Sequence, residues 1–563
     1  MTRTIGIGVQ DFEKLRSEKL FYIDKTLFIK EWWESGDDVT LITRPRRFGK
    51  TLNMSMMEQF FSVEYKERED LFIDLAIWEE EKYRELQGTY PVISLSFARV
   101  KETDFESTQK RILEILMSQF EQYSFLLESD KLSQNEKNYL QRMATDMTLF
   151  DGSSSLHRLS KILYQHYGKK VIILLDEYDT PMQEAYVQGF WDEIVFFIRN
   201  LFNSTFKTNP YMARGIMTGI TRVSKESVFS DLNNLEVITT TSDKYATSFG
   251  FTEEEVFTAL EKRGLGKEKE KVKKWYDGFI FGKQKDIYNP WSILNFLDKQ
   301  EYATYWANTS SNSLVNKLIR EGTQRIKLSF EALLRGEHLW CSIDEQIVYN
   351  QLDNSEAAIW SLLIASGYLK VLSKEREELI AITNRPKYEL SITNMEVQRM
   401  FFYMVRDWFS KVESNYNEFV TALLLGDKKA MNVYMNRISL EMFSYFDTGK
   451  RPSAEEPERF YHGFVLGLLV ELSDRYVITS NRESGFGRYD VMLEPKTGDY
   501  DGIILEFKVF DSEDEGDLKD TVQVALTQIE EKHYEANLLA KGIPAEQIRK
   551  YGFAFEGKKV LIG

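Results

Sequence analysis

A Gly-Lys-Thr triplet lies between a predicted strand and a predicted helix near the start of the sequence. The strand is the β-rich run 39–43, and the segment 44–51 that follows reads Arg-Pro-Arg-Arg-Phe-Gly-Lys-Thr. Loop amides at the start of a helix bind phosphate groups, a lysine amine reaches the β- and γ-phosphate oxygens, and a threonine hydroxyl binds Mg²⁺. The pattern predicts an ATP-binding loop, or P-loop, whose residues are Arg46, Arg47, Phe48, Gly49, Lys50, Thr51 and Leu52.

One position departs from the usual form of this loop, because Arg44 stands where the first glycine is expected. An arginine does not readily adopt the backbone torsions that glycine favours, so the chain must begin the loop differently. Gly-Lys-Thr also occurs by chance in unrelated chains. The assignment therefore depends on a second element of the site.

The apolar run 171–175 supplies this second element, because it ends in Asp176 and Glu177. An aspartate at the carboxyl end of a buried strand is placed to bind Mg²⁺, and the following glutamate is placed to orient and polarise an attacking water. An acidic turn after a buried strand is the structural alternative. The two elements occur in the expected order, which favours ATP hydrolysis.

Thr221 and Arg222, which follow a further predicted strand, are candidates for sensing the γ-phosphate. An arginine stabilises the charge that develops on a transferred phosphoryl group. A structural ion pair is an equally good explanation of Arg222.

Two carboxylates and a lysine are predicted to converge near the end of the sequence. Side chains alternate along a strand, so Glu506 and Lys508 of the predicted strand 502–509 share one face. A hairpin with the preceding strand 488–493 brings Asp490 beside Glu506. Adjacent carboxylates bind Mg²⁺ or Mn²⁺, and a lysine beside them positions a water and helps to deprotonate it. The alternative is a solvated edge strand.

The elements around these residues follow the order αβββαβ. A helix within 460–472 comes first, a helix from about Thr521 carries Gln528, and the strand 553–555 comes last. The acidic run 511–517 is expected to form a solvated loop that repels DNA.

The first half of the sequence alternates between strand-like and helix-like segments, which predicts an α/β fold with helices on both faces of a parallel sheet. The run 171–175 is apolar on both faces, as the middle of such a sheet requires. The predicted strands are 39–43, 91–97, 171–175 and 215–220.

Charged helices predominate from about Thr252, where three glutamates favour a helix amino terminus. A helix within 359–367 then leads into segments 368–371, 379–382 and 388–392, a pattern compatible with a winged helix. The polar segment 448–457 contains two prolines and is expected to link this region to a final domain.

The composition is that of a folded chain with several domains. Its 563 residues are more than fold around a single hydrophobic core, and 43% of them are apolar. A net charge of −16 disfavours indiscriminate binding to phosphate backbones, so nucleic-acid binding requires a local site. The single cysteine, Cys341, excludes an intramolecular disulfide and thiolate zinc clusters. No signal peptide or membrane span is evident, which predicts a cytoplasmic protein with no membrane partner.

Several motifs of the first half together resemble the bacterial AAA-ATPase-like family. The resemblance covers about residues 1–300, includes Arg44 at the start of the P-loop, and implies an ATPase core with a helical lid. The aromatic segments 275–279 and 288–291 are expected to pack in this lid, with adenine contact as the alternative. The motifs are 22–26, 43–51, 176–181, 229–234 and 288–292.

The last domain resembles the PD-(D/E)XK nuclease superfamily through its αβββαβ order and its Asp…Glu-x-Lys motif. The resemblance implies that Asp490 and Glu506 bind a metal ion, that Lys508 is catalytic, and that Gln528 is the glutamine of the following helix in some members. It leaves open whether Glu471 or His462 completes the site.

We expect a protein that binds and hydrolyses ATP, and whose nucleotide state gates a Mg²⁺-dependent nuclease acting on DNA or RNA. A nucleotide-dependent switch or scaffold with a catalytically inactive nuclease-like domain is the alternative, and homo-oligomer formation is compatible with both. The predicted regions are a P-loop core (1–250), a helical lid (251–345), a helical or winged-helix region (346–447) and a nuclease-like domain (458–563).

Overall fold

The computed structural model divides the chain into two compact units, residues Met1–Met400 and Phe401–Gly563. Among the described residues no helix is both long enough and apolar enough to cross a membrane. The described residues are 3–223, 228–229, 232–307, 313–321, 323–334, 336–343, 352, 355–375, 386–409, 416–442, 465, 468–469, 472, 475–484, 487–497, 500–511, 514–556 and 559–563.

A parallel sheet of five strands, in the order β2-β3-β4-β1-β5, forms the centre of the first unit and confirms the predicted α/β class. β1 and β3 are buried along their whole length because other strands flank them on both sides. β5 was not among the predicted strands. The strands are β1 (Val39–Thr43), β2 (Val92–Ser96), β3 (Val171–Asp176), β4 (Met212–Gly219) and β5 (Leu235–Ile238).

The helices of this core pack their apolar faces on the sheet. Leu159 and Leu163 of the longest helix, α7, are buried in this way. Side chains cap several helices at their first turn, and Thr148 and Asp151 of α7 form a reciprocal capping box. The helices are α1 (Phe12–Ser17), α2 (Leu27–Ser35), α3 (Lys50–Phe61), α4 (Glu81–Leu86), α5 (Phe105–Gln122), α6 (Gln134–Thr145), α7 (Leu149–Tyr167), α8 (Thr180–Gln188) and α9 (Trp191–Phe206).

The predicted helical lid contains a small antiparallel sheet as well as helices. Thr252 and Glu255 form a capping box where the first helix begins, as the run of glutamates indicated. The sheet has the order β6-β8-β7. The elements are β6 (Phe251–Thr252), α10 (Glu253–Lys262), α11 (Lys269–Tyr276), β7 (Phe279–Phe281), β8 (Gln284–Tyr288) and α12 (Pro290–Lys299).

A second small sheet, in the order β10-β11-β9, follows the lid. A helix precedes the antiparallel pair β10–β11, as the sequence pattern suggested. The predicted segment 379–382 lies outside the described residues, and the winged-helix assignment stays a prediction. The elements are α13 (Ser313–Glu321), α14 (Gln324–Leu334), β9 (Leu339–Ser342), α15 (Glu356–Ala365), β10 (Leu369–Lys374), β11 (Lys387–Ile392) and α16 (Met395–Phe409).

The second unit contains a mixed sheet of five strands, in sequence order β12 to β16. β14 and β15 are parallel and the other pairs are antiparallel. The last strand, β16, extends the sheet beyond the predicted αβββαβ order. The predicted linker 448–457 lies outside the described residues. The elements are α17 (Tyr416–Leu425), α18 (Lys428–Met442), β12 (Tyr476–Ser484), β13 (Gly487–Pro495), β14 (Gly502–Val509), α19 (Leu518–Glu531), α20 (Ala536–Ala540), β15 (Ile548–Glu556) and β16 (Lys559–Ile562).

Two asparagines of α18 cover the outer edge of β16. The Asn432 carboxamide accepts the Ile562 N–H at 2.8 Å and donates to the Ile562 carbonyl at 2.8 Å. Asn436 makes the same pair of bonds with Val560, at 3.0 and 2.6 Å. Because the asparagines are one helical turn apart, they meet alternate residues of the strand, whose outward backbone groups are thereby hydrogen-bonded.

Candidate functional site

The P-loop connects the carboxyl end of β1 to α3, as the sequence predicted. Gly49 directly precedes the helix and has a left-handed φ of 81°. Arg47 also has a positive φ, 64°, which is costly for a residue with a Cβ atom. Arg44 does not have a positive φ. The missing first glycine is therefore not needed, because the left-handed positions of this loop lie further along.

Arg44 is completely buried. Its Nη1 atom donates to the carbonyls of Thr43 at 2.9 Å and Thr239 at 2.7 Å, and its guanidinium stacks on Phe281 at 4.5 Å. Burial lowers the pKa of Arg44 to about 9. The Arg44 side chain thus links the end of β1 to the segment that follows β5 through hydrogen bonds.

Lys50 is buried, and its amine bonds the loop itself. Nζ donates to the carbonyls of Arg44 and Pro45, each at 3.0 Å. Burial lowers the pKa of Lys50, while the nearby carboxylates of Glu177, Asp176 and Asp179 act in the opposite direction.

Thr51 and Asp176 meet at the carboxyl ends of β1 and β3. Thr51 Oγ1 donates to Asp176 Oδ2 at 2.6 Å, and the Thr218 hydroxyl donates to the other carboxylate oxygen. Burial raises the pKa of Asp176, because a charged carboxylate is disfavoured away from water. A hydroxyl and a carboxylate are the hard oxygen donors that Mg²⁺ prefers, so this pair fits the predicted metal ion.

Glu177 directly follows β3 with a left-handed φ of 51°, a conformation that strains a residue with a Cβ atom. Its carboxylate accepts the Thr180 hydroxyl at 3.2 Å. This backbone conformation and the contact with Thr180 set the position of the Glu177 side chain at the end of the strand.

Asp179 is a buried residue of this site that lies in the family motif 176–181 but was not predicted as a site residue. Its Oδ2 atom accepts the backbone N–H of Ile220 at 3.0 Å, and the backbone N–H and hydroxyl of Thr221, each at 2.8 Å. Burial raises the pKa of Asp179. These bonds hold the segment after β4, in which half-buried Arg222 is the next residue.

Arg46 contacts both the core and the lid. Its Nη2 atom donates to Gln183 Oε1 at 3.2 Å, and its carbonyl accepts Trp306 Nε1 at 3.0 Å and Asn289 Nδ2 at 3.3 Å. Glu396 holds Trp306 in turn, because its buried carboxylate accepts the Trp306 backbone N–H at 2.6 Å.

Glu396 is a second residue near this site that sequence patterns did not indicate. Its carboxylate also accepts the Ser292 hydroxyl at 2.7 Å and the Ala307 N–H at 3.4 Å. Burial nevertheless raises the pKa of Glu396 to about 7, because these three donors only partly replace water.

The side chains of Phe48, Arg47 and Leu52 contact the lid or the apolar core. Phe48 is buried between Phe279 and Phe281, with ring centroids 4.7 and 5.4 Å away. Arg47 is exposed and stacks on Trp291 at 4.5 Å. Leu52 packs against the apolar core.

The aromatic segments of the lid are mostly internal. The four buried aromatic residues among them are Trp275, Tyr276, Phe279 and Tyr288. Trp291 is half-buried beside Arg47.

A cluster of three carboxylates lies in the lid, among Glu253, Asp277 and Asp286, whose oxygens come within 4.8 Å of one another. The Lys273 amine pairs with Glu253 and lies 3.4 Å from Asp286. Burial and Asp286 raise the pKa of Asp277 to about 7. The sequence did not indicate this cluster, because its members come from α10, β8 and the turn before β7.

Four predicted residues of the second unit converge on one side of its sheet. Val491 pairs with Leu505 in the β13–β14 hairpin, which places Asp490 opposite Glu506. The Asp490 carboxylate accepts the backbone N–H of residue 507 at 2.8 Å. Lys508 Nζ lies 3.3 Å from Glu506 Oε1, and the Gln528 amide of α19 donates to the same oxygen.

Glu506 is only 1% exposed, and its pKa is raised to about 8 by burial and by the charge of Asp490, while Lys508 acts in the opposite direction. The adjacent carboxylates of Asp490 and Glu506 form a donor set that suits Mg²⁺ or Mn²⁺. Buried Tyr534, which was not predicted, bonds Gln528 at 3.0 Å. Glu471 and His462 lie outside the described residues.

The acidic run 511–517 has a local structural role. Asp517 caps α19 by accepting the backbone N–H groups of Lys519 and Asp520. Glu515 accepts the Thr521 hydroxyl at 2.5 Å. Acidic side chains at this helix start also complement the helix dipole.

Comparisons with known proteins match two regions of the chain to protein families. Residues 6–229 match the family described as "Predicted AAA-ATPase", and residues 456–563 match the PD-(D/E)XK nuclease superfamily. The chain is also 25% identical over 398 residues to an uncharacterized protein in the vnfD 5′ region of Azotobacter chroococcum mcd 1, covering 70% of this chain and 68% of that protein. The chain thus combines an AAA-ATPase-like domain with a PD-(D/E)XK nuclease superfamily domain.

Proposed function

We propose that this protein binds and hydrolyses ATP in its first unit, and that its nucleotide state controls metal-dependent cleavage of DNA or RNA in its second unit. The observation that carries the nuclease proposal is the convergence of Asp490, Glu506, Lys508 and Gln528 from two strands and a helix. A solvated edge strand would leave these groups exposed and separate, whereas Glu506 is buried and bonded to two of them.

In the ATPase site, the P-loop amides and Lys50 bind the phosphates. Lys50 exchanges its bonds with the Arg44 and Pro45 carbonyls for the β- and γ-phosphate oxygens. Thr51 and Asp176 would hold Mg²⁺, which neutralises phosphate charge when bound. Glu177 orients the attacking water from the end of β3.

Arg46 and Arg222 are the arginines that we assign to stabilising the transferred phosphoryl group. Arg46 bonds Gln183 of α8, the helix that follows Asp176 and Glu177 in the chain, and its charge is felt at Lys50. Arg222 adjoins Thr221, whose hydroxyl Asp179 fixes. A guanidinium beside the developing negative charge accelerates phosphoryl transfer.

In the nuclease site, Asp490 and Glu506 would hold a divalent metal ion, which supplies positive charge at the scissile phosphate when bound. Lys508 positions a water and takes part in its deprotonation. Gln528 orients the Glu506 carboxylate, and Tyr534 holds the Gln528 amide in turn.

A cleavage assay tests this function. Full-length protein is incubated with ATP, Mg²⁺ and a mixture of single- and double-stranded DNA and RNA. We expect wild type to cleave and Lys508→Ala to lose cleavage while it still hydrolyses ATP. Lys50→Ala should lose ATP hydrolysis and the ATP dependence of cleavage. Equal cleavage by wild type and Lys508→Ala, including none in both, would refute the nuclease role.

The alternative, a nucleotide-dependent switch with an inactive nuclease-like domain, predicts a different set of results. Lys50→Ala would then abolish nucleotide binding or oligomer assembly, and no protein would cleave under any condition. Cleavage that is independent of ATP would retain the nuclease and remove the gating.

A further inference from the structure

A groove of about 560 Å³ lies beside the P-loop of the first unit. The β7–β8 hairpin and the segment 240–243 form one wall, and the strands β10 and β11 form the other. Pro45 of the P-loop also lines it. Grooves of about 300–1,000 Å³ accommodate ligands of nucleotide size.

Four lysines line this groove, Lys283, Lys285, Lys370 and Lys374, and Asp243 is the one acidic residue among its described lining residues. Lys283 lies 3.0 Å from Asp243 and is 91% exposed. Lys285 and Lys374 are exposed as well, and Lys370 is half-buried. In a chain with a net charge of −16, this concentration of positive charge favours an anionic ligand.

Other charges also act on the groove. Asp277 and Asp286 face Lys370 from the lid and favour its charged form, whereas burial lowers its pKa. These carboxylates do not line the groove. The lysines at its rim therefore provide most of the positive charge that a ligand meets.

The groove floor is apolar and bears hydroxyl groups. Ile280, Leu369 and Val371 supply apolar surface, and Tyr388 supplies an aromatic ring. Thr240 and Thr393 lie in the same lining. Single-stranded nucleic acids expose both phosphates and bases, and proteins bind them with basic grooves that also offer apolar or aromatic surface.

The two walls are in close contact with each other and with the P-loop. A Cβ atom on Gly278, whose φ is 126°, would lie 2.1 Å from the Thr393 carbonyl oxygen. A Cβ atom on Gly367 would lie 2.8 Å from Cγ of Pro45. Only glycine allows both approaches, so the groove has fixed walls.

We propose that this groove binds a single-stranded segment of nucleic acid, with its phosphates at the lysines and its bases on the apolar floor. The choice of nucleic acid over an acidic peptide rests on the proposed nuclease function. The groove is a docking surface on the ATPase-like unit and does not take part in cleavage chemistry.

Binding is tested with full-length protein and a fluorescein-labelled oligothymidylate of about 15 nucleotides, in EDTA so that no cleavage occurs. Fluorescence anisotropy is measured at salt concentrations from about 0.05 to 0.2 M. The test variant is K285Q/K374Q. The matched control is K262Q/K267Q, which removes two exposed lysines of the same unit outside the groove.

Each phosphate contact to a single strand contributes about 0.7 to the slope of log affinity against log salt concentration. One such contact therefore raises the affinity about fivefold when the salt concentration falls from 1 M to 0.1 M. K285Q/K374Q should therefore bind about 25-fold more weakly at 0.1 M salt, with a slope smaller by about 1.4. The control variant should bind like wild type. An oligonucleotide that carries 5-iododeoxyuridine should crosslink to peptides of the groove, including that of Tyr388.

Equal affinity and slope for K285Q/K374Q and wild type would overturn the proposal, as would crosslinks confined to the second unit. A poly-glutamate peptide that binds with the same lysine dependence, while the oligonucleotide does not bind, would assign the groove to an acidic peptide and also overturn it. The binding assay needs no catalysis, so it tests the groove proposal independently of the nuclease proposal. Cleavage by Lys508→Ala tests only the nuclease proposal.

Discussion

Replacing Arg44 with glycine would restore the residue that phosphate-binding loops usually have there, yet we expect the variant to be less stable and no better at binding ATP. The change removes two charge-assisted hydrogen bonds, of 2.9 and 2.7 Å, each worth about 1.5–3 kcal/mol. It also removes the stacking of Arg44 on Phe281, worth about 1 kcal/mol. The hydrogen-bond values already account for the bonds to water that are lost on folding, and the lower end of their range together with the stacking gives an expected loss of about 4 kcal/mol.

Arg47→Gly is the matched control, because it introduces the same residue three positions further along the same loop. Arg47 is exposed and has a φ of 64°. Glycine relieves about 1 kcal/mol of left-handed strain, and loss of the Trp291 contact costs about the same. We therefore expect its stability to stay within about 1 kcal/mol of wild type.

Two measurements check these expectations. Urea unfolding gives the stability of each variant, and hydrogen–deuterium exchange of a peptide covering 239–245 reports the segment that Arg44 fastens. Exchange there should be faster in Arg44→Gly and unchanged in Arg47→Gly. The reasoning is wrong if Arg44→Gly is as stable as wild type with unchanged exchange, or if isothermal titration shows that it binds ATP more tightly.

Three further predictions concern single side chains. Glu177→Gln should slow ATP hydrolysis by at least about 100-fold and leave ATP affinity largely intact, and equal turnover in a steady-state assay would remove Glu177 from this role. Gln528→Ala should lower metal affinity or cleavage about 10–100-fold without unfolding the protein. Titration with Mn²⁺ measures the affinity and circular dichroism reports the fold. Unchanged affinity and cleavage would contradict the role of Gln528. The pKa of Glu396 is raised to about 7 in the folded protein, so folding favours the protonated carboxyl group. This preference contributes up to about 3 kcal/mol to the free energy of unfolding. The contribution is complete below about pH 4.5 and is lost as the pH rises to 7. Thermal melting should show that loss in wild type and not in Glu396→Gln, and parallel curves would contradict it.

The elements that sequence patterns predicted well are those with a long apolar signal. β3 begins with the unbroken apolar run 171–175 and β1 is a β-rich run, and both strands are buried along their whole length. β5 was missed because it is a short edge strand, and Leu235, Glu236 and Val237 are not fully buried. Four residues of which one is buried give no clear period, whereas the other edge strand, β2, has three buried residues among five and was predicted.

The site residues differ in the same way. Local motifs indicated Lys50, Asp176 and Glu506, because each motif places its residue at a definite position in a strand or loop. The ends of the strands then bring these residues to their partners. Asp179 contacts Thr221, which is 42 positions away in the sequence, and no local pattern encodes such a contact. Tyr534 contacts Gln528 from just beyond the end of α19, where the helical period no longer indicates which side chains meet. The family resemblance included Arg44 without giving its physical role, and the fold shows that its side chain bonds the segment after β5.

The two asparagines of α18 have a consequence for assembly of the second unit. A strand at the edge of a sheet normally offers a row of unpaired backbone groups on which a strand of another molecule can be added. At β16, Asn432 and Asn436 occupy the groups of Ile562 and Val560 that an incoming strand would need. Recruitment of a partner by strand addition is therefore blocked at this edge, and we expect Asn432→Ala/Asn436→Ala to be more prone to aggregation than the parent chain.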